Sequence, residues 1–156
     1  MSTAQRAATP LGPSSPATEA IRRALAISPA SSAWERTADI TTVGARTGHP
    51  RTIETWFYRF EDRIYLSGLP GRRGWLANLK ATSRFTFHLK HGVRADLPAT
   101  ARVVTDERER RRAFTHFVTD MNQDHDPARI GRKTSVEAWL AGSPLVQVVF
   151  DDPRLP

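Results

Sequence analysis

Alternating apolar and polar residues predict a run of β-strands through the middle of the chain. The β-rich run 40–43 is followed by a turn cluster at 44–50 and by an alternating stretch at 51–60. A tight turn, Glu61-Asp62, then leads into a further strand at 63–67. This order predicts two consecutive β-hairpins.

Three more strands are predicted further along the chain. Residues 84–91 alternate cleanly, 94–105 form a longer strand, and 145–150 form a closing strand. Since side chains of a strand alternate between its two faces, every second residue is expected in the core. The side chains predicted to face the core in the first two of these strands are Phe85, Phe87, Leu89, Ala95, Leu97, Ala99, Ala101 and Val103.

Helical periodicity predicts a short helix at 19–27, capped by Thr18, and another at 75–80. The longest predicted helix is 106–121, and 135–140 is a helical turn. The apolar stripe of the long helix consists of Ala113, Phe114, Phe117, Val118 and Met121.

The Pro- and Ser-rich residues 1–17 show no apolar period, so we expect a disordered tail followed by one domain at 18–152. Consecutive strands joined by short turns favour antiparallel pairing. The pattern therefore predicts a mainly β fold with flanking helices, an antiparallel barrel rather than a parallel Rossmann sheet.

The net charge of +7 is confined to one segment of the chain. From Arg46 to Arg94 ten Lys or Arg accompany three Asp or Glu, whereas the remaining basic and acidic residues balance. Such a segment indicates an anionic partner, which would be a phosphate, a polycarboxylate or a nucleic acid.

Composition excludes several classes of site. The chain has no cysteine, which excludes disulfides, Cys-ligated metals and a Cys nucleophile. His88 and His91 would point to opposite faces of their strand, so we expect no metal site. No apolar run is long enough to span a bilayer, and the N-terminus lacks the apolar region of a secretory signal. We expect a cytoplasmic protein.

The turn from Gly44 to Arg51 is the first candidate anion site. Gly44 and Gly48 let the backbone turn sharply between two strands, and Arg46 and Arg51 flank that turn. The two guanidinium groups could converge on one anion. An ordinary hairpin with solvated arginines fits the same spacing.

The segment from Ser67 to Asn78 is the second candidate. Its Gly-rich loop carries Arg72 and Arg73 just before a predicted helix, and N–H groups at a helix N-terminus suit an anion. A solvated basic loop fits this segment alone. Neighbouring strands would bring both candidates to one end of a barrel, which favours a shared site.

Three segments in this order resemble the deazaflavin-dependent nitroreductase family. They are ITTVGARTGHPR at 40–51, the strand 63–67 with its Gly/Arg loop, and WLANLKA at 75–81. The resemblance runs from about residue 39 to 105 and more loosely to 150. That family is a branch of the flavin/deazaflavin oxidoreductases, so the resemblance implies a split β-barrel of the FMN-binding type, related to pyridoxamine-phosphate oxidase.

The resemblance implies an oxidoreductase that transfers hydride from reduced coenzyme F420 to a quinone, a nitro compound or an activated double bond. It also implies a homodimer. Arg46 and Arg51 would contact the cofactor's phosphate or acidic tail, and the 67–74 loop would wrap the deazaflavin. The proton would come from solvent or from Tyr65. The implied cofactor-binding residues are Arg46, Thr47, Gly48, Pro50, Arg51, Ser67, Gly68, Gly71, Arg72, Arg73, Gly74, Trp75 and Asn78.

Two alternatives remain open at this point. The same fold suits an FMN enzyme or flavin carrier. A basic barrel could instead bind single-stranded nucleic acid, although the basic residues cluster at turns rather than along an aromatic face. Family members that reduce bulky nitro compounds carry tyrosines near the C-terminus, whereas the tyrosines here are Tyr58 and Tyr65. The stacking residues of the nucleic-acid alternative would be Trp56, Tyr58, Phe85 and Phe87.

Overall fold

The computed structural model describes residues 15–127 and 133–156 of the chain. Six strands, four helices and a 3-10 turn at Trp34–Arg36 make up this part of the protein. The helices are α1 (Pro16–Leu25), α2 (Gly74–Ala81), α3 (Glu107–Met121) and α4 (Val136–Gly142). The strands are β1 (Thr37–Val43), β2 (Pro50–Phe60), β3 (Arg63–Ser67), β4 (Arg84–Leu89), β5 (Ala95–Val103) and β6 (Leu145–Phe150).

The strands close into one barrel in the order β1-β2-β3-β6-β5-β4, and β4 pairs back onto β1. Every neighbouring pair is antiparallel. Glu61 and Asp62 connect β2 to β3 with φ values of 49° and 55°, the left-handed conformation of a two-residue hairpin turn. The predicted antiparallel barrel is confirmed, and so are both predicted hairpins.

One apolar core fills the interior of the barrel. Phe87 of β4 makes edge-to-face contacts with Phe57 and with Phe150, each with ring centroids 5.4 Å apart. The predicted inward residues of β4 and β5 are buried or pack against this core. The alternation therefore assigned the faces of these strands correctly.

A second apolar core lies between the barrel wall and helices α3 and α4. Tyr58 and Tyr65 project into it and contact Phe117, with ring centroids 4.7 and 5.9 Å away. Trp139 of α4 is fully buried there and donates its indole N–H to Thr134 Oγ1 at 3.0 Å. The predicted apolar stripe of the long helix is buried in this second core.

Two boundaries in the described ranges differ from those predicted. Helix α1 begins at Pro16 and not after Thr18, because Ser15 is its N-cap and accepts the Thr18 N–H at 3.1 Å. Residues 16 and 17 of the predicted tail therefore belong to the helix, and residues 1–14 lie outside the described range. At the other end Leu155 is buried in the barrel core, beyond the predicted limit at 152. No helix of the described ranges is long and apolar enough to cross a membrane.

A buried ion pair joins the 3-10 turn to α3. Arg36 donates to Asp120 Oδ2 at 2.6 Å and to Oδ1 at 3.2 Å, and the two side chains are 3% and 12% exposed. The Arg36 guanidinium also donates to the carbonyl oxygens of Ser28, Pro29 and Ser31. This pair fixes the segment between α1 and β1 against α3.

Candidate cofactor site

The turn between β1 and β2 is a compact corner closed by its own backbone. Gly44 N–H donates to the carbonyl of His49, and Gly48 N–H donates to the carbonyl of Gly44, both at 2.8 Å. Gly48 has φ +70°, a conformation that side chains with a Cβ rarely adopt. We therefore attribute its glycine to the turn itself.

Asn78 of α2 fastens this corner to the helix. Its Oδ1 accepts the Ala45 N–H at 2.9 Å, and its Nδ2 donates to Thr42 Oγ1 at 3.0 Å. Because both ends of the amide are used within the protein, Asn78 positions the corner.

A cleft of about 520 Å³ opens between the corner and α2; we call it the corner cleft. Arg46 and Arg51 line it, and neither guanidinium has a carboxylate partner in the described part of the chain. The backbone N–H groups of Arg46 and Thr47 are likewise without a partner there. Ile53, 39% exposed, supplies an apolar wall. Two cations and two free amides at one place suit an oxyanion.

The Gly-rich loop before α2 is organised around Arg73. Its guanidinium donates to the carbonyl of Leu69 at 2.6 Å and lies against Gly68, where a Cβ would come within 2.8 Å of it. The glycine at 68 therefore makes room for the protein's own arginine. Gly71 N–H donates to the carbonyl of Gly142 at 3.0 Å, which ties the loop to the end of α4. Arg72 is exposed and its guanidinium has no partner in the described ranges.

A second cleft of about 960 Å³ lies on the other side of α2, between the loop and the segment that leads into β6; we call it the loop cleft. Arg72, Lys80 of α2 and Arg110 of α3 line it. Gly74 and Ala77 line both clefts, so the two spaces adjoin at the N-terminal half of α2.

Ion pairing sorts the basic residues of the central segment into two groups. Four of them are paired with carboxylates. Five others, Arg46, Arg51, Arg72, Arg73 and Lys80, line the clefts and have no carboxylate partner among the described residues, and Arg94 has neither a carboxylate partner there nor a place in a cleft. The paired ones are Arg59 with Asp62, Arg63 with Glu109, Arg84 with Asp151 and Lys90 with Asp39 and Glu54.

Nine of the thirteen predicted cofactor residues line one of the clefts, and four do not. Ser67 is buried and donates its hydroxyl to the carbonyl of Pro144 at 2.6 Å, which corrects its predicted role. Gly48, Pro50 and Gly68 belong to the corner and loop without lining a cleft. The nine are Arg46, Thr47, Arg51, Gly71, Arg72, Arg73, Gly74, Trp75 and Asn78.

Tyr65, the candidate proton donor, lies in the second core and lines neither cleft. It is 1% exposed, and its hydroxyl lies 3.4 Å from Glu109 Oε1, to which it donates. Burial is the main cause of a raised pKa for this phenol. We therefore correct its predicted role: Tyr65 packs between the barrel and α3.

Arg110 and Ser143 also line the loop cleft, and neither was predicted from the sequence. Arg110 stands in an Arg-rich run that charge pattern alone assigns to a solvated face. Its spacing of three, four and seven residues from Ala113, Phe114 and Phe117 places it on the apolar side of α3. This helical spacing is the feature of the sequence from which the inward position of Arg110 could have been predicted.

The aromatic residues of the nucleic-acid alternative do not form an exposed platform. Tyr58, Phe85 and Phe87 are buried in the two cores. Trp56 is half-buried, and the Arg36 guanidinium carbon lies 5.9 Å from its ring centroid. In the described ranges no group of three His, Cys, Asp or Glu could hold a metal ion.

Comparison with known sequences gives one family. The family model described as F420H(2)-dependent quinone reductase matches residues 23–137, most of the chain. No curated protein sequence matches the chain closely enough to indicate a relative.

Solved structures share the fold at low sequence identity. A conserved hypothetical protein of Mycobacterium tuberculosis is 18% identical with a TM-score of 0.58, covering 88% of this chain and 81% of its own. A candidate pyridoxamine 5'-phosphate oxidase of Listeria innocua is 11% identical with a TM-score of 0.57, covering 86% and 94%. A structure described as an F420 reductase is 14% identical with a TM-score of 0.50, covering 73% and 85%. These similarities show the fold.

Proposed function

Because the chain belongs to the F420H(2)-dependent quinone reductase family, and is therefore an F420-dependent oxidoreductase, we propose that it transfers hydride to a quinone. The observation that carries the proposal is a set of cations beside α2 without a carboxylate partner in the described ranges, Arg46, Arg51 and Arg72. A cofactor with a phosphate and an acidic tail requires several cations in one place, which a neutral ligand does not.

The corner cleft fits the phosphate end of such a cofactor. Arg46 and Arg51 are unpaired, and the amides of Arg46 and Thr47 are free within the described chain. Charged donors and free amides together form the usual protein site for a phosphate oxygen. Arg72, exposed on the neighbouring loop, would meet the acidic tail.

Deazaflavin bound here would supply the hydride. The residues that line the two clefts determine where the accompanying proton can come from. The titratable residues that line the two clefts are arginines and one lysine, without an acid, a histidine or a tyrosine among the described linings. The linings therefore offer no carboxyl, imidazole or phenol group as a proton donor, which leaves water and the Lys80 ammonium, and we propose water as the source of the proton.

This chemistry favours a quinone over the other acceptors. Addition of a hydride to a quinone gives a hydroquinone monoanion, which the surrounding cations stabilise and water then protonates. Reduction of a nitro group to a nitroso group also uses one hydride and one proton, but that proton must reach an oxygen that leaves as water, and a positioned acid favours such a step. We keep nitro compounds and activated double bonds as secondary acceptors.

The test of cofactor identity is a fluorescence titration with coenzyme F420 and with FMN. FMN has a single phosphate and makes no use of Arg72, so we expect it to bind at least about tenfold more weakly, a gap of about 1.4 kcal/mol. Arg46→Gln and Arg51→Gln should each weaken F420 binding by about 1.5–3 kcal/mol, the range for charge-assisted hydrogen bonds.

Arg94→Gln is the matched control. Arg94 belongs to the same basic segment, is exposed, and lines neither cleft, so its removal should leave F420 affinity unchanged. A protein that keeps bound FMN through purification and does not bind F420 would replace the proposal with the FMN alternative. We also propose a homodimer, which light scattering of the purified protein tests.

A further inference from the structure

Arg110 of α3 is a half-buried cation whose contacts are all neutral. Its guanidinium donates to the carbonyl oxygens of Val104 at 3.4 Å, Leu140 at 3.3 Å and Ser143 at 3.0 Å. Its Cζ lies 5.0 Å from the centroid of the Phe114 ring. Burial lowers the pKa of this guanidinium, as expected where no carboxylate compensates the lost solvation.

The rest of the chain offers Arg110 no counter-ion. In the described ranges no carboxylate forms an ion pair with it, and residues 1–14 and 128–132 contain no Asp or Glu in their sequence. A charge removed from water without an opposite charge is costly. An anion that binds beside such a group stabilises it and lowers the free energy of the protein.

Ser143 adds an unused hydroxyl at the same place. Its Oγ is buried and has no hydrogen-bond partner among the described residues, whereas its N–H donates to the carbonyl of Trp139 and its carbonyl accepts from Arg110. Buried hydroxyls without a partner are rare in folded proteins. Here the unpartnered hydroxyl belongs to the residue that holds the unpaired cation.

Both residues line the loop cleft, which has room for a substrate-sized ligand. The cleft measures about 960 Å³, and its walls include Leu76, Val103 and Leu145. Lys80 contributes a second cation without a partner in the described ranges. Apolar walls and cations in one cleft suit a flat ring that bears an anionic group.

We propose that the loop cleft binds the carboxylate of the hydride acceptor, so that the substrate is a quinone that carries a carboxylate group. The proposal rests on the proposed function for the acceptor's role. Arg110 and Lys80 would hold the carboxylate, joined by the Ser143 hydroxyl once its buried Oγ turns toward the cleft, and the cleft adjoins the corner cleft at Gly74 and Ala77. The carboxylate is unchanged in the reaction: the quinone gains a hydride from the cofactor and a proton from water, and the cofactor is oxidised.

The binding part is tested without any cofactor. Calorimetric titration of the apoprotein with 2-naphthoate should show binding, and the neutral 2-naphthamide should bind at least about tenfold more weakly. Arg110→Gln and Lys80→Gln should each reduce the affinity for 2-naphthoate. Arg108→Gln, which removes an exposed charge from the same helix outside the cleft, is the control and should leave it unchanged. Equal affinities for 2-naphthoate and 2-naphthamide would overturn the proposed carboxylate site.

Ser143→Ala keeps the test valid if Arg110→Gln destabilises the fold. The Ser143 hydroxyl has no partner, so its removal should leave the unfolding midpoint no lower than that of the wild type. The same substitution should weaken 2-naphthoate binding. A variant of full stability that binds 2-naphthoate as tightly as the wild type would contradict a role for the hydroxyl.

Two further measurements separate the acceptor's carboxylate from the glutamyl tail of the cofactor. Arg110→Gln should leave F420 affinity unchanged, and it should raise KM for 2-carboxy-1,4-naphthoquinone at least about tenfold relative to 2-methyl-1,4-naphthoquinone. Weaker F420 binding with unchanged naphthoate binding would assign the site to the tail and overturn the proposal. Binding of 2-naphthoate without any F420-dependent turnover would contradict the proposed function and leave the carboxylate site standing.

Discussion

The side-chain amide of Asn78 donates to Thr42 Oγ1 at 3.0 Å and accepts the Ala45 N–H at 2.9 Å, so one residue joins α2 to the β1–β2 corner. Arg51 lies directly opposite Thr42 in the register of β1 and β2. Residues directly opposite share a face of the sheet, so the Asn78 contacts lie beside the guanidinium that lines the corner cleft.

Asn78→Ala should loosen this junction. Two hydrogen bonds are lost, which predicts a decrease of about 1–3 kcal/mol in the free energy of unfolding and weaker F420 binding. Asn78→Asp keeps an acceptor for Ala45 and should retain more stability, but its charge would compete for Arg46 and Arg51. Urea unfolding and fluorescence titration measure the two effects. An Asn78→Ala protein with unchanged F420 affinity would show that the corner keeps its shape without the junction.

Arg72 and Arg73 should respond differently to substitution, although they are neighbours in the same basic loop. Arg72 is exposed without a partner among described residues, so Arg72→Gln should reduce the decrease of F420 affinity with salt concentration. Arg73 holds the loop through the Leu69 carbonyl, so Arg73→Gln should lower thermal stability. Identical salt slopes for wild type and Arg72→Gln would place this arginine outside the site.

The buried pair Arg36–Asp120 should contribute strongly to stability when only one partner is removed. Arg36→Met leaves Asp120, whose side chain is 12% exposed in the native pair, without its cation, which predicts a loss of about 3–5 kcal/mol in the free energy of unfolding. The double variant Arg36→Met/Asp120→Leu should lose less, since no unpaired charge remains. Arg84→Gln, which breaks an exposed pair, should change stability little. Equal losses in the single and double variants would contradict the argument.

Stability should also fall in acid through Glu109. Hydrogen bonds from Arg102 are the main cause of a pKa below the ordinary 4.5, and Arg63 adds to the effect. An acid whose folded pKa is lowered stabilises the protein above its unfolded pKa, and this contribution is lost as pH falls through the folded value. Arg102→Gln should raise the Glu109 pKa and flatten that acid decrease. NMR titration of the Glu109 carboxyl group measures its pKa in the wild type and in Arg102→Gln. An unchanged pKa in the variant would exclude Arg102 as the cause.

The strands, both hairpins and the apolar face of α3 could be predicted because burial follows local periods of two or about 3.6 residues. The corner was predicted because its turn chemistry is also local: Gly48 adopts a positive φ that the sequence already suggests. The cap of α1 was missed because Ser15 and Thr18 are both suitable caps, and their spacing does not decide between them.

Partners that are distant in the sequence could not be predicted. Arg36 and Asp120 are 84 residues apart, and nothing in the charge pattern selects one for the other. The same limit applies inside the basic segment, where Arg84 is neutralised by Asp151 while Arg51 is left to line a cleft. Charge counting found the basic segment, and the tertiary structure decides which of its cations remain available for a ligand.

The most direct measurement of the central claim is anaerobic mixing of the protein with reduced coenzyme F420 and 2-methyl-1,4-naphthoquinone, followed by the absorbance of the deazaflavin. We predict oxidation of one cofactor per quinone, at a rate that saturates with cofactor concentration. Saturation should require much more cofactor in Arg46→Gln/Arg51→Gln and should be unchanged in Arg94→Gln. Oxidation no faster than in the absence of protein, or equally fast in the double variant at limiting cofactor, would contradict the account.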